Sequence, residues 1–171
     1  MLPDAEVLEY RPELISRRGE LIAWSGSVML GLVWLILVIS HQRVFVMLPV
    51  LFVILFLSAS IISLGNWMDR HTLIRLHPDG IEYANGLRHV RLAWTDIQQV
   101  RVLPSRWGSK IQVYGERSYF IFHTLGEVRL HGEMKGRMGF EKGEQILRQL
   151  ILKSELTITD REGEGYYYAR E

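Results

Sequence analysis

Between Glu20 and Asp69 the chain carries one formal charge, Arg43, and most of the side chains there are apolar. The window divides into LIAWSGSVMLGLVWLILVIS (21–40) and VFVMLPVLFVILFLSASIISLG (44–65). At about 1.5 Å rise per residue, each run is long enough to cross the roughly 30 Å hydrocarbon layer of a bilayer. The pattern predicts a two-helix transmembrane hairpin over 21–65, turned by the short connector His41–Arg43. A cleaved signal peptide is the competing reading of an N-terminal apolar run. Here an acidic, charged segment (1–20) precedes the first run and a second run follows at once, so the hairpin is expected to stay. Arg11, Arg17 and Arg18 flank one end and Arg70 and Arg75 the other, against Arg43 alone in the connector, which predicts both termini on the cytoplasmic side.

Small residues recur every fourth position in the hairpin: Ala23, Ser27 and Gly31 on the first span, Ala59 and Ser63 on the second. That spacing lets two helix backbones approach closely, so these five residues form the expected packing stripe. No Asp, Glu or Lys lies inside either span, which argues against an ion relay or a transport pathway.

Beyond Asp69 the periodicity changes. TLIRLH (72–77), IEYA (81–84), HVRLAW (89–94), IQQVRVL (97–103), KIQVYG (110–115), SYFIFHT (118–124) and EVRLHG (127–132) are short stretches with strand character, punctuated by PDG, NG, SRWGS and GERS. Asn85-Gly86 is the strongest hairpin signal among them. So many short strands predict a small antiparallel barrel or sandwich. GEMKGRMG (132–139) reads as a mobile link into EKGEQILRQLILKS (141–154), where Ile146, Leu147, Leu150 and Ile151 share one helical face. One C-terminal helix closing a barrel is the simplest packing, giving an α+β membrane protein with a domain over 72–153. The acidic tail, 154–171, contains a possible strand at Leu156–Thr159 and the run Tyr166, Tyr167 and Tyr168, which reads equally as a candidate partner-binding element or as part of a tail that packs back on its own domain.

The segment 72–153 holds thirteen Lys and Arg against eight Asp and Glu, a surplus hidden by the overall charge of +1. Arg88, Arg91, Arg101, Arg106, Lys110 and Arg117 form its candidate lipid- or partner-facing surface.

Strand, Asp79-Gly80-Ile81 turn, strand, LAWTDIQQV (92–100), KIQVYG, an aromatic strand, Gly139-Phe140 and a single terminal helix together resemble, in that order, the bacterial pleckstrin-homology-like domain. Many proteins of that family carry the domain behind a two-helix hairpin, and the resemblance covers about residues 20–153. It implies a bacterial inner-membrane protein with a PH-like barrel or sandwich. The motif residues read as structural: Gly80 for a turn with positive φ, Trp94 and Ile97 for the core, Asp96 for bonds to nearby backbone amides. Lipid-binding relatives grip phosphoinositides with basic residues in the first hairpin. Here that turn is His77-Pro78-Asp79-Gly80, with an acidic residue and no Lys or Arg, so the lipid site is not carried over.

The residues carry little sign of chemistry. The histidines 41, 71, 77, 89, 123 and 131 make no HxxxH or HExxH spacing, and there is no cysteine, no phosphate-binding glycine loop and no GxSxG elbow. No metal, cofactor, nucleic acid or small-molecule substrate is expected, and the chain reads as non-enzymatic. The leading expectation is a membrane-anchored interaction module, an accessory or scaffolding subunit that docks other membrane protein subunits at the phospholipid bilayer. Binding of anionic phospholipid, or of a peptide, is the alternative.

Overall fold

The computed structural model describes residues 7–14, 16–43, 45–105, 108–130, 133–162 and 165–170. Ser16–Trp67 form one compact unit, and the described residues before and after it form another. The second unit opens with strand β1 (Leu8–Tyr10).

The helical unit is an antiparallel pair, α1 (Arg18–Ile39) and α2 (Met47–Arg70), each long and apolar enough to cross a membrane. Small side chains mark the contact. Ser27 and Ala59 are the buried residues of their helices, and a Cβ built on Gly31 would meet the Phe52 ring at 2.8 Å, so glycine admits that ring. Ala23 and Ser63 are half-buried. Near the open end a polar chain sets the register: Trp24 Nε1 donates to Ser63 Oγ (2.8 Å), Ser63 Oγ donates to Glu20 Oε1 (2.7 Å), and Asn66 Nδ2 donates to Glu20 Oε2 (2.8 Å). Leu, Ile, Val and Phe side chains elsewhere on the pair face outward.

After β1, the second unit continues with β2 (Thr72–Leu76), β3 (Gly80–Asn85) and β4 (His89–Ala93), which with β1 make an antiparallel sheet of order β1-β2-β3-β4. A 3₁₀ turn, Trp94–Asp96, leads to β5 (Ile97–Leu103), β6 (Lys110–Gly115) and β7 (Tyr119–His123). The hairpin β8 (Gly126–Leu130) with β9 (Glu133–Met138) precedes α3 (Gly143–Lys153). The chain ends in β10 (Thr157–Glu162) and β11 (Gly165–Ala169), and the second large sheet has the order β10-β11-β5-β6-β7.

Alternation builds the core. In β4, Val90 and Leu92 turn in while His89 and Arg91 turn out; in β6, Ile111 and Val113 are fully buried. Inward residues of both large sheets meet Ile146, Leu147 and Leu150 of α3 in a single cluster. Trp94 sits in that core and its indole N–H still finds a partner, Pro78 O at 3.0 Å. Gly86 turns the β3–β4 hairpin at φ 79°, where Asn85 Oδ1 accepts from Arg88 N (2.8 Å).

The structure corrects three expectations. The sheets do not close into a barrel: β5 has β6 on one side and β11 on the other, so no edge of β5 remains for β4. The tail packs back on its own domain, one of its two expected roles, as the strand pair β10–β11 of the second sheet. GEMKGRMG contains β9, paired with β8, in place of a free link. Gly80 is absent from the positive-φ residues; its need for glycine is close approach, because a Cβ there would lie 2.2 Å from Leu92 O.

Gly80→Ala is expected to force β3 and β4 apart at their first rung and to destabilise the domain by about 1–3 kcal/mol, as overpacking a tight backbone contact does. Thermal unfolding of the full chain in detergent, followed by its tryptophan signal, checks this.

Candidate interaction surface

The outward faces of the two large sheets differ in how their charges are met. On the four-stranded sheet the register sets Glu9 beside Arg75, Arg75 beside Glu82, and Glu82 beside Arg91, an alternating row across all four strands. Arg75 Nε donates to Glu9 Oε2 (2.9 Å) and its Nη1 to Glu82 Oε1 (3.4 Å). His89 Nε2 lies 2.9 Å from Glu82 Oε1, and His77 Nε2 lies 3.0 Å from Oε2. Arg91 turns instead to Asp79, at 2.8 Å. The hydrogen bond from His89, with lesser help from His77 and Arg75, holds the Glu82 carboxyl below the usual carboxylate range. Asp79 is likewise held down, first by its own backbone amide and then by Arg91. Exposed pairs of this kind contribute only about 0–1 kcal/mol each. What they do here is neutralise the face.

The five-stranded sheet presents something else. Val100, Val102, Ile111, Val113, Phe120 and Phe122 turn into the core, so the intervening residues form the outer face. One register row reads Asp160, Tyr167, Arg101, Gln112, Ile121; the next reads Thr157, Ala169, Gln99, Tyr114, Tyr119; a third reads Leu103, Lys110, His123. The Arg101 guanidinium lies 5.2 Å from the centre of the Tyr114 ring and 5.6 Å from that of Tyr167. Tyr114 stacks with Tyr119 at 5.9 Å, and Arg88, reaching from the β3–β4 turn, covers Tyr119 at 4.5 Å. A continuous line of rings and guanidinium groups therefore runs Tyr167, Arg101, Tyr114, Tyr119, Arg88. Such contacts are worth about 0.5–1 kcal/mol each where exposed, and they hold long side chains in one conformation.

The six basic residues picked out in the sequence thus part company. Arg88, Arg101 and Lys110 gather on or beside this face, and Tyr167 joins them. Arg91 is spent on Asp79 at the other sheet, Arg117 stands in the β6–β7 turn near Arg91 and Asp96, and Arg106 lies outside the described residues. Tyr168 packs against the core and Tyr166 pairs opposite Val102, so neighbouring tyrosines serve opposite faces. Tyr114 and Tyr119 escaped the sequence reading; the period-2 pattern of KIQVYG and SYFIFH marks both as outward, but only the pairing register puts them beside each other and beside Arg101.

A separate cavity of about 130 Å³ lies among Glu13, Asp69, Thr72, Tyr83, His123 and Phe140. Burial lowers the His123 pKa and raises that of Tyr83. Tyr83 also stacks on Phe120 at 5.2 Å, a packing role. Among the described residues no group of three or more His, Asp or Glu side chains is placed to hold a metal ion.

The Glu82 network has a pH signature. Because the folded carboxyl has a lowered pKa, its contribution to stability is fully present above the ordinary value of 4.5 and is lost as pH falls through the folded value. Thermal midpoints measured from pH 7 to pH 3 are expected to fall on the acid side, with a shallower fall in Glu82→Gln.

None of the curated proteins and none of the solved structures compared with the chain gives a match. A family model does: residues 72–133, which run from β2 through β8 into the first residue of β9, match the one described as "Bacterial PH domain". Two apolar helices followed by a sheet region that matches this model are consistent with a membrane hairpin leading into a bacterial PH-like domain.

Proposed function

We propose that this protein is a non-enzymatic, membrane-anchored interaction module, an accessory or scaffolding subunit of a larger membrane protein complex. A bacterial PH-like domain suggests a non-enzymatic interaction module in general terms. The observation that carries the finer reading is the outer face of the five-stranded sheet, where Tyr167, Arg101, Tyr114, Tyr119 and Arg88 form one line of contacts. Tyrosine and arginine are the residue types enriched where proteins dock, because each buries a large rigid surface and keeps a polar handle.

In this reading α1 and α2 anchor the domain in a bacterial inner membrane, with both termini on the cytoplasmic side. The Arg residues that flank the two apolar runs support that orientation. Confinement to the plane of a bilayer raises the effective concentration of the domain toward partners in the same membrane, so modest contacts suffice. The outward Leu, Ile, Val and Phe side chains of the hairpin give those partners a second, apolar place to pack.

A second reading has one observation in its favour. The basic surplus of 72–153, with Arg88, Arg101 and Lys110 on one side, suits an anionic phospholipid surface.

Mild-detergent extraction of the tagged, natively expressed protein, followed by size separation and mass spectrometry, is expected to show a defined set of membrane subunits co-migrating at fixed stoichiometry. A lone small species in every detergent, together with salt-sensitive binding to anionic vesicles, would move the assignment to lipid.

A further inference from the structure

We propose that the outer face of the five-stranded sheet receives an acidic segment of a protein partner, with a partner carboxylate seated on Arg101 between Tyr114 and Tyr167. This rests on the interaction-module reading and names the chemistry of what docks.

The argument begins with the contrast between the two sheets. Where this domain turns charge to solvent on the four-stranded sheet, each arginine has a carboxylate within 3.4 Å: Arg75 has Glu9 and Glu82, and Arg91 has Asp79. On the five-stranded sheet the outward positions of β5, β6 and β7 include Arg101 and Lys110 and no Asp or Glu. Among the described residues no carboxylate pairs with Arg101, Lys110 or Arg88. Across β5, β6 and β7 the outward charge is therefore positive, and the acidic register positions of this sheet, Asp160 and Glu162, lie on the edge strand β10 beyond Tyr167.

Arg101 is also prepared for an anion. Its Nη2 donates to Gln99 Oε1 at 3.2 Å and its Nε is buried, so an approaching ligand meets the Nη end of the guanidinium. Rings at 5.2 and 5.6 Å restrict the guanidinium, so the conformational entropy that a free arginine would lose on binding is already lost. A planar fork of donors held in this way matches a carboxylate in two-point contact. Gln112, whose Oε1 accepts from the Tyr114 hydroxyl at 3.2 Å, and the half-buried Ile121 continue the row beside it. An acidic segment with apolar side chains would therefore find both its charge and its bulk met.

The same features disfavour a bilayer as the occupant. Polybasic lipid-facing surfaces present on the order of four to eight Lys or Arg together. This face spaces three cations among tyrosines, glutamines and an isoleucine, the composition of a protein contact.

Site-specific photo-crosslinking in living cells tests the assignment on the full chain. Tyr119→p-benzoylphenylalanine exchanges one aromatic residue for another at a position 46% exposed, within the line of rings. The expected adduct is to a protein segment containing at least two Asp or Glu residues. Adding Arg101→Gln should reduce its yield by at least about tenfold, the loss typical of a central contact residue. Arg101→Lys should reduce it less, and Arg91→Gln, which removes a charge already paired, should leave it unchanged. Equal thermal midpoints for the variants establish that the domain is folded in each.

An adduct to a segment without carboxylates, or one indifferent to Arg101→Gln, overturns the proposal while leaving the interaction-module reading in place. Adducts to lipid alone overturn it in favour of the membrane surface. Absence of any adduct while subunits still co-migrate after extraction means that the partner docks elsewhere on the protein, and the acidic-segment assignment is then wrong.

Discussion

Backbone hydrogen bonds between β11 and β5, in register from Tyr166 opposite Val102 to Ala169 opposite Gln99, occupy an edge that a closed barrel would need for its own closure. Two consequences follow from this one pairing. The sheets stay open, so the domain is two antiparallel layers over a shared core in place of a cylinder. It also sets Tyr167 beside Arg101, without which the guanidinium would have a ring on one side alone. Arg170 reinforces the join: it donates to Thr95 O at 2.7 Å, to Trp94 O at 3.3 Å and to Ser154 O at 3.1 Å, tying the end of the chain to the 3₁₀ turn and to the C-terminus of α3. That end is where a cation also meets the outward carbonyl dipoles of a helix favourably.

Electrostatics divides the domain's labour between its faces. The four-stranded sheet compensates its own charges through Glu9, Arg75, Glu82 and Asp79, which leaves little for a charged partner to satisfy. The five-stranded sheet surrounds its cations with rings and amides. Rings fix the position of a guanidinium without cancelling its charge, which is what the proposed docking of an acidic segment on that face relies on. In the helical unit a chain of side-chain hydrogen bonds, Trp24 to Ser63 to Glu20 with Asn66, lies toward one end of the pair.

Much of this was legible in the residues, and the failures have physical causes. A window holding Arg43 alone fixes two apolar helices, and the 3.6-residue spacing of Ile146, Leu147, Leu150 and Ile151 fixes α3. Asn85-Gly86 announced its turn because few other pairs accept that backbone. The tail was harder. Three consecutive tyrosines conceal alternation, because a residue type that suits both a core edge and an exposed face carries no inward or outward mark, and Tyr167 and Tyr168 do take opposite faces. Glycines in GEMKGRMG lowered its strand character, although β8 supplied a partner. Arg101 looked like any of the other basic residues, since what distinguishes it is register across β11, β5 and β6, a property of pairing between distant segments. Gly80 was read for its φ and matters for its distance from Leu92.

The chain has no cysteine, so single introduced thiols report on chosen positions without background. The most direct measurement compares maleimide labelling of Gln112→Cys, on the five-stranded face beside Arg101, with that of His89→Cys, whose side chain is 63% exposed on the four-stranded face. Labelling is followed in native membranes and again after the assembly is dissociated in detergent. If the five-stranded face is the docking surface, position 112 is slow to react in membranes and becomes faster on dissociation, while position 89 reacts alike in both. Equal labelling of position 112 before and after dissociation would contradict the account.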